Sequence, residues 1–136
     1  MMSRFISLEL AERLINCAVE KAKKLGLSVS VAVVDEGGWL VALHRMDGAP
    51  PSTPEMARDK AWTAASFRMP TSKVSSFGSP INSSNLNDRV TTIPGGLPIK
   101  INGRVIGGIG IAGGIPEEDE RICMDVLRML EDSFEG

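Results

Sequence analysis

The run "IKINGRVIGGIGIAGG", residues 99 to 114, constrains this chain more than any other. Asn102-Gly103 stands between alternating apolar residues, and both accept the positive φ of a two-residue hairpin turn. The run therefore predicts two antiparallel strands. Gly107, Gly108 and Gly110 remove side chains from the second strand and weaken its packing. Their presence calls for close approach of something flat: a helix, a second subunit or a ligand.

A second hairpin precedes it. "LSVSVAVVD" and "WLVALHRM" are short apolar runs rich in β-branched residues, joined by "EGG", where Gly37 and Gly38 permit a tight turn. Both runs are apolar on both faces, which predicts a sheet covered on each side. A further strand is expected near Val90 to Ile93. Helices surround these strands. From Leu8 to Leu25 apolar residues recur every three or four positions, with Ser7 as cap and Gly26 as terminator. The opposite face, with Glu12, Arg13, Glu20, Lys23 and Lys24, reads as solvated. A second helix opens with Thr53 as cap and Pro54 at its first position, or with a Ser52/Glu55 capping box. Its alanines at 57, 61, 64 and 65 form a smooth face. Residues 70 to 88 read as an irregular excursion with a short helical turn near Ser72 to Ser76. "PEEDERICMDVLRMLEDSF" closes the chain as a helix with Ile122, Val126, Leu127 and Leu130 inward.

The order predicts an α+β layered domain spanning residues 1–136, with a mainly antiparallel sheet of about five strands covered by helices. At 136 residues with 43% apolar and 24% charged residues, the chain suits one core. A net charge of −2 and scattered basic residues exclude a nucleic-acid-binding surface. No run reaches membrane-spanning length, and "MMSRFIS" is too short for a secretory h-region. No membrane association and a cytoplasmic location are expected. Cys17 and Cys123 show neither metal nor disulfide spacing, and read as small buried hydrophobes.

The candidate site residues have two readings each. His44, the one histidine, either packs near a strand end or contacts a ligand through its imidazole. By strand alternation it shares a face with Leu40 and Ala42, while Trp39, Val41, Leu43 and Arg45 point the other way. Arg45 either ends a strand before the Asp47-Gly48 turn or holds a carboxylate through a bidentate pair. Arg58, Asp59 and Lys60 are consecutive on a helix, so they cannot all face one pocket. Arg58 or Lys60 would add to an anion-attracting helix end. Pro94, Gly95 and Gly96 either turn a corner between strands or aim backbone N–H groups at an anion. One histidine cannot build a multi-histidine zinc site, and no metal is expected.

"VSVAVVDEGGWLVALHRMDGAP", "ARDKAWTAASF", "IPGGLPIKINGRVIGGIGIAGG" and "PEEDE", in this order and spacing, resemble the HbpS/GlcG family. That family includes the C-terminal domain of PduO-type cobalamin adenosyltransferases. The resemblance runs from about Leu8 to Leu130. It implies a profilin-like fold, assembly with copies of itself, and a tetrapyrrole ligand, either haem or a corrinoid such as cobalamin. The chain departs from the pattern at Trp39, where related sequences often carry histidine. It departs again at Ile115, where Ser or Thr commonly caps the last helix. Two other functions stay open. One is a small isomerase, lyase or hydrolase acting on an organic acid, with Arg45 and the Gly95-Gly96 turn binding carboxylate and Asp59, Glu36 or His44 moving a proton. The other is a structural or accessory subunit using the smooth alanine and glycine faces for packing.

Overall fold

Ser7 sets the start of the first helix. Its hydroxyl accepts the Leu10 N–H at 3.0 Å, and α1 runs Leu8–Lys24. The end is a Schellman turn: Gly26, at φ 72°, donates to Lys23 O, and Leu27 donates to Ala22 O. A computed structural model describes residues 5–76 and 89–135, and the elements after α1 are β1 (Ser30–Asp35), β2 (Leu40–Arg45), α2 (Thr53–Phe67), β3 (Gly96–Ile101), β4 (Arg104–Ala112) and α3 (Pro116–Glu135). The expected excursion begins with a 3-10 turn, Thr71–Ser76; its remainder, 77–88, lies outside the described residues.

The strands form one antiparallel sheet in the order β2-β1-β4-β3. Asn102 and Gly103 both take positive φ, as the β3–β4 hairpin requires. Alternation divides the sheet into two unlike faces. On one, Val31, Val33, Ile99, Ile109 and Ile111 pack with Leu14, Ile15 and Ala18 of α1 and Ile122 and Val126 of α3. Each such aliphatic side chain contributes roughly 1.5–3 kcal/mol on full burial. On the other face Ala32 and Val34 meet Ala57, Ala61 and Ala65 of α2. Here close approach replaces bulk. A Cβ built on Gly110 would collide with the carbonyl of Ala57, and one on Gly108 with the carbonyl of Ala61. For Gly108 and Gly110 the flat object that the strand glycines anticipated is α2, whereas Gly107 is crowded by the Val34 carbonyl and Ile6.

Four expectations need correction. The sheet has four strands among the described residues, and residues 90–93 are not one of them. Threonine side chains satisfy that segment instead: Thr63 Oγ1 donates to Arg89 O and accepts the Thr91 N–H, while Thr71 Oγ1 donates to Ile93 O at 2.7 Å. The second correction concerns β2. It is an edge strand with Leu40 and Arg45 exposed, so of the two strands in the first hairpin only β1 is covered on both faces.

Third, a bulge interrupts the β1–β2 pairing: Ala42 faces Val33 but Leu40 faces Val34. Leu40 thus sits on the α2 side of the sheet, opposite in sense to His44 and Ala42, and Val41 packs with the α1/α3 core. Simple alternation had placed both wrongly. Fourth, Thr53 is not the α2 cap. Ser52 stands there without a side-chain cap bond, and the Thr53 hydroxyl instead donates to Pro50 O and meets Ser30 Oγ at 2.8 Å inside the fold.

Candidate functional site

Among the described residues Lys60 is the largest fully buried side chain, only 2% exposed. It is not at an anion-attracting helix end. It sits mid-helix in the same stripe as Ala57, Ala61 and Ala64, facing the sheet. Its ammonium donates to Ile111 O at 2.8 Å and lies 3.7 Å from Asp119 Oδ2. Asp119, 1% exposed, also accepts the Gly114 N–H through Oδ1 at 3.2 Å. Its Oδ2 makes no hydrogen bond among the described residues. Burial pushes the Asp119 carboxyl up to about 6 against the opposing pull of Lys60, and burial pushes Lys60 down. Cys123, beside them, donates to Gly95 O and has its thiol raised by the same desolvation.

The "PGG" corner covers this pair. Gly95, at φ 127°, has no room for a Cβ beside Ile111 O and the Lys60 ammonium. Gly96 N–H is already spent on Thr71 Oγ1 at 3.1 Å. Both glycines are buried, and Pro94 is half-buried beside them. Lys60, Asp119, Cys123 and the corner make a sealed bolt that joins α2, β4 and α3. The anticipated set does not converge. Arg45 and the corner belong to opposite edge strands, three strand spacings or roughly 14 Å apart. The carboxylate clamp imagined for an organic-acid enzyme is therefore not assembled by this fold. Arg58 and Asp59 lie half-buried on the outer side of α2. Burial, then Glu55, raises the Asp59 carboxyl, while Arg89 and Arg58 oppose the shift. Arg89 also lies over the Trp62 ring, 5.5 Å from its centroid. Glu36, the other proton carrier considered, pairs with Arg104 at 3.2 Å on the surface. The smooth faces considered for subunit packing are occupied: the alanines of α2 meet the glycines of β4.

An open site remains where β2 leaves the sheet. Met46 N–H donates to Val29 O, Gly48 takes φ 86°, and Ala49 N–H closes the Asp-Gly turn on Met46 O. Arg45 braces that turn by donating to Ala49 O at 3.1 Å. Between the turn and the C-terminal half of α1 lies a groove of about 380 Å³, lined by Val19, Lys23, His44, Arg45, Met46 and Asp47. His44 is 40% exposed, and its Nε2 lies 3.1 Å and 3.0 Å from the two oxygens of Glu12. Its partner is thus a carboxylate, not backbone. Glu12, Val19 and Lys23 recur at seven and four residues along one edge of α1, beside β2. Sequence reading had assigned Glu12 and Lys23 to a merely solvated face; the spacing was the available signal. The Lys60 and Asp119 pairing was missed for a similar reason, though each occupies an i, i+3, i+4 slot in an apolar stripe. In apolar volume the groove is modest, with Val19 and Met46 as its hydrophobic wall and two cations on its rim.

Comparison with known proteins agrees with this architecture. Residues 6–128 match the family model described as haem degrading protein HbpS-like. The chain is 33% identical over 111 residues to Protein GlcG of Escherichia coli strain K12, covering 79% of this chain and 81% of that protein. Among solved structures it is similar to HbpS, with a TM-score of 0.85, 34% identity, and coverage of 96% of this chain and 93% of the other. It is similar also to a PduOC:heme complex, with a TM-score of 0.83, 32% identity, and coverage of 91% and 94%. A match over nearly its whole length, together with these relatives and the shared fold, places this chain in the HbpS-like family, to which GlcG and the PduO C-terminal domain are also related.

Proposed function

We propose that this protein binds a tetrapyrrole, with haem as the favoured member, in the groove between β2 and α1. The observation that carries the reading is the chemistry gathered at one opening: an imidazole, two cations that outnumber the one carboxylate, Asp47, and an apolar wall. A haem presents the complementary set, namely an iron that takes nitrogen ligands, two carboxylate side chains and a flat apolar ring. His44 would supply the nitrogen, Lys23 and Arg45 the cations for the carboxylates, and Val19 and Met46 the wall. The donor set fits. The complex of a 32% identical neighbour with heme supports the same reading. When bound, the iron supplies the redox chemistry, and the chain holds and orients it.

An open groove shields one side of a flat ring. Covering the other is a role suited to a second copy of the chain, in keeping with the self-assembly the family resemblance implies. The test is a haemin titration followed in the Soret region, with light scattering before and after saturation. Binding with a shifted Soret band is expected, weakened several-fold by Lys23→Ala with Arg45→Ala. Iron-free protoporphyrin should bind less tightly than haemin. Equal affinity for both would remove the iron–imidazole bond from the account, and cobalamin binding in preference to haemin would transfer the site to corrinoids.

A further inference from the structure

The histidine in the groove is not free to choose which nitrogen it presents. Its Nε2 sits between the two Glu12 oxygens at 3.1 Å and 3.0 Å. Among the described residues, no hydrogen bond engages Nδ1. His44 lines the groove and Glu12 does not. The ring nitrogen tied to Glu12 is therefore Nε2, and Nδ1 is the one left without a partner among the described residues. A carboxylate without a proton accepts only, so the neutral ring must carry its hydrogen on Nε2 to make this bond. Nδ1 is then the atom with the lone pair.

We infer that Glu12 is a positioning residue that orients the His44 ring through Nε2, fixes it in the Nε2–H form and leaves Nδ1 as its electron-pair donor. The inference deepens the tetrapyrrole reading and rests on it for the identity of the acceptor, though not for the orientation. The arrangement has a general rationale. A ligating histidine that donates its second N–H to a carboxylate is held in one tautomer and one ring orientation and becomes a more basic ligand. Here the carboxylate comes from α1, two turns before Val19, so the helix that forms one wall of the groove also sets the ring of the strand forming the other. Sequence separation is 32 residues, and the pair assembles only when α1 packs on β2.

A single histidine makes the orientation directly readable. In the apo-protein labelled with ¹⁵N at about pH 8.5, above the usual histidine range near 6.5, long-range ¹H–¹⁵N correlation distinguishes the two ring nitrogens. The expected result is a single tautomer with hydrogen on Nε2. Glu12→Ala should release it to a mixture. Glu12→Gln, which keeps an acceptor oxygen, should restore most of the wild-type pattern. Hydrogen on Nδ1 in the wild type, or an unchanged tautomer in Glu12→Ala, would overturn the inference. Haemin supplies the second arm: Glu12→Ala should weaken binding by about tenfold or more, with Glu12→Gln between it and wild type. A wild-type chain that takes up no haemin would sink the function proposed above, while the tautomer measurement would still decide the role of Glu12.

Discussion

Among the described residues, two side-chain pairs with a carboxylate tie helices to neighbouring elements, Lys60–Asp119 and His44–Glu12. In the first, both side chains are at most 2% exposed, and the closest charged atoms stand 3.7 Å apart. In the second, both are about two-fifths exposed and the atoms lie at 3.0 Å. The buried pair has strongly displaced protonation and no opening to solvent. The open pair borders a groove. Perturbed titration is often taken as a mark of function, but here desolvation is its largest cause, and the residues around the perturbed groups are a closed structural joint. Accessibility, and not the size of a shift, separates the candidate site from the bolt.

That contrast can be broken by substitution. Removing one member of the buried pair, as in Asp119→Ala or Lys60→Ala, should cost about 3–5 kcal/mol by stranding the other charge. Replacing both with apolar residues, Lys60→Met with Asp119→Leu, should recover much of that loss. Chemical denaturation of the three variants checks it, and an additive double variant would mean that the pair does not act as a unit.

The pH dependence comes next. Asp119 titrates near 6 in the fold against roughly 4 in the unfolded chain, so its contribution to stability is fully present below pH 4 and lost as pH rises through 6. The loss is on the order of 3 kcal/mol. Asp119→Asn, which keeps an acceptor for Gly114 N–H, should flatten the stability profile between pH 4 and 7 in denaturant titrations, relative to wild type.

Smaller effects sharpen the picture further. Gly110→Ala drives a methyl into the Ala57 carbonyl and should cost about 1–3 kcal/mol in the same assay. Gly103→Ala meets nothing within 4 Å, so only its positive φ resists the change and the cost should be nearer 1 kcal/mol. Glu12→Ala should move stability least, by under about 1 kcal/mol, since the pair it breaks is solvated. A large melting shift in that variant would mean that the open pair is also a structural joint.

Much of this was legible from residue patterns. Ser7 and Gly26 bounded α1, Asn102-Gly103 turned the last hairpin, and the strand glycines announced a close neighbour. Local rules govern all three. The bulge opposite Val33 was not legible, because one extra residue changes the face of Leu40 without changing composition. Nor was the fate of residues 90–93, whose β-like sequence is held by threonines from α2 and the 3-10 turn. The site was half legible. His44 and Arg45 were named as candidates and do line one groove, but their partners Glu12 and Lys23 come from α1, and only tertiary packing brings them there. The "PGG" corner, attractive as an anion nest, proved to be the lid of the buried pair.

The central claim is that ligand chemistry belongs to the open pair and not to the buried one. It is tested most directly by titrating haemin into wild-type, His44→Ala and Asp119→Asn proteins and comparing Soret spectra. The account predicts that His44→Ala abolishes the shifted band while remaining folded, and that Asp119→Asn leaves it in place. A spectrum unchanged by His44→Ala, or lost in a folded Asp119→Asn variant, would contradict it.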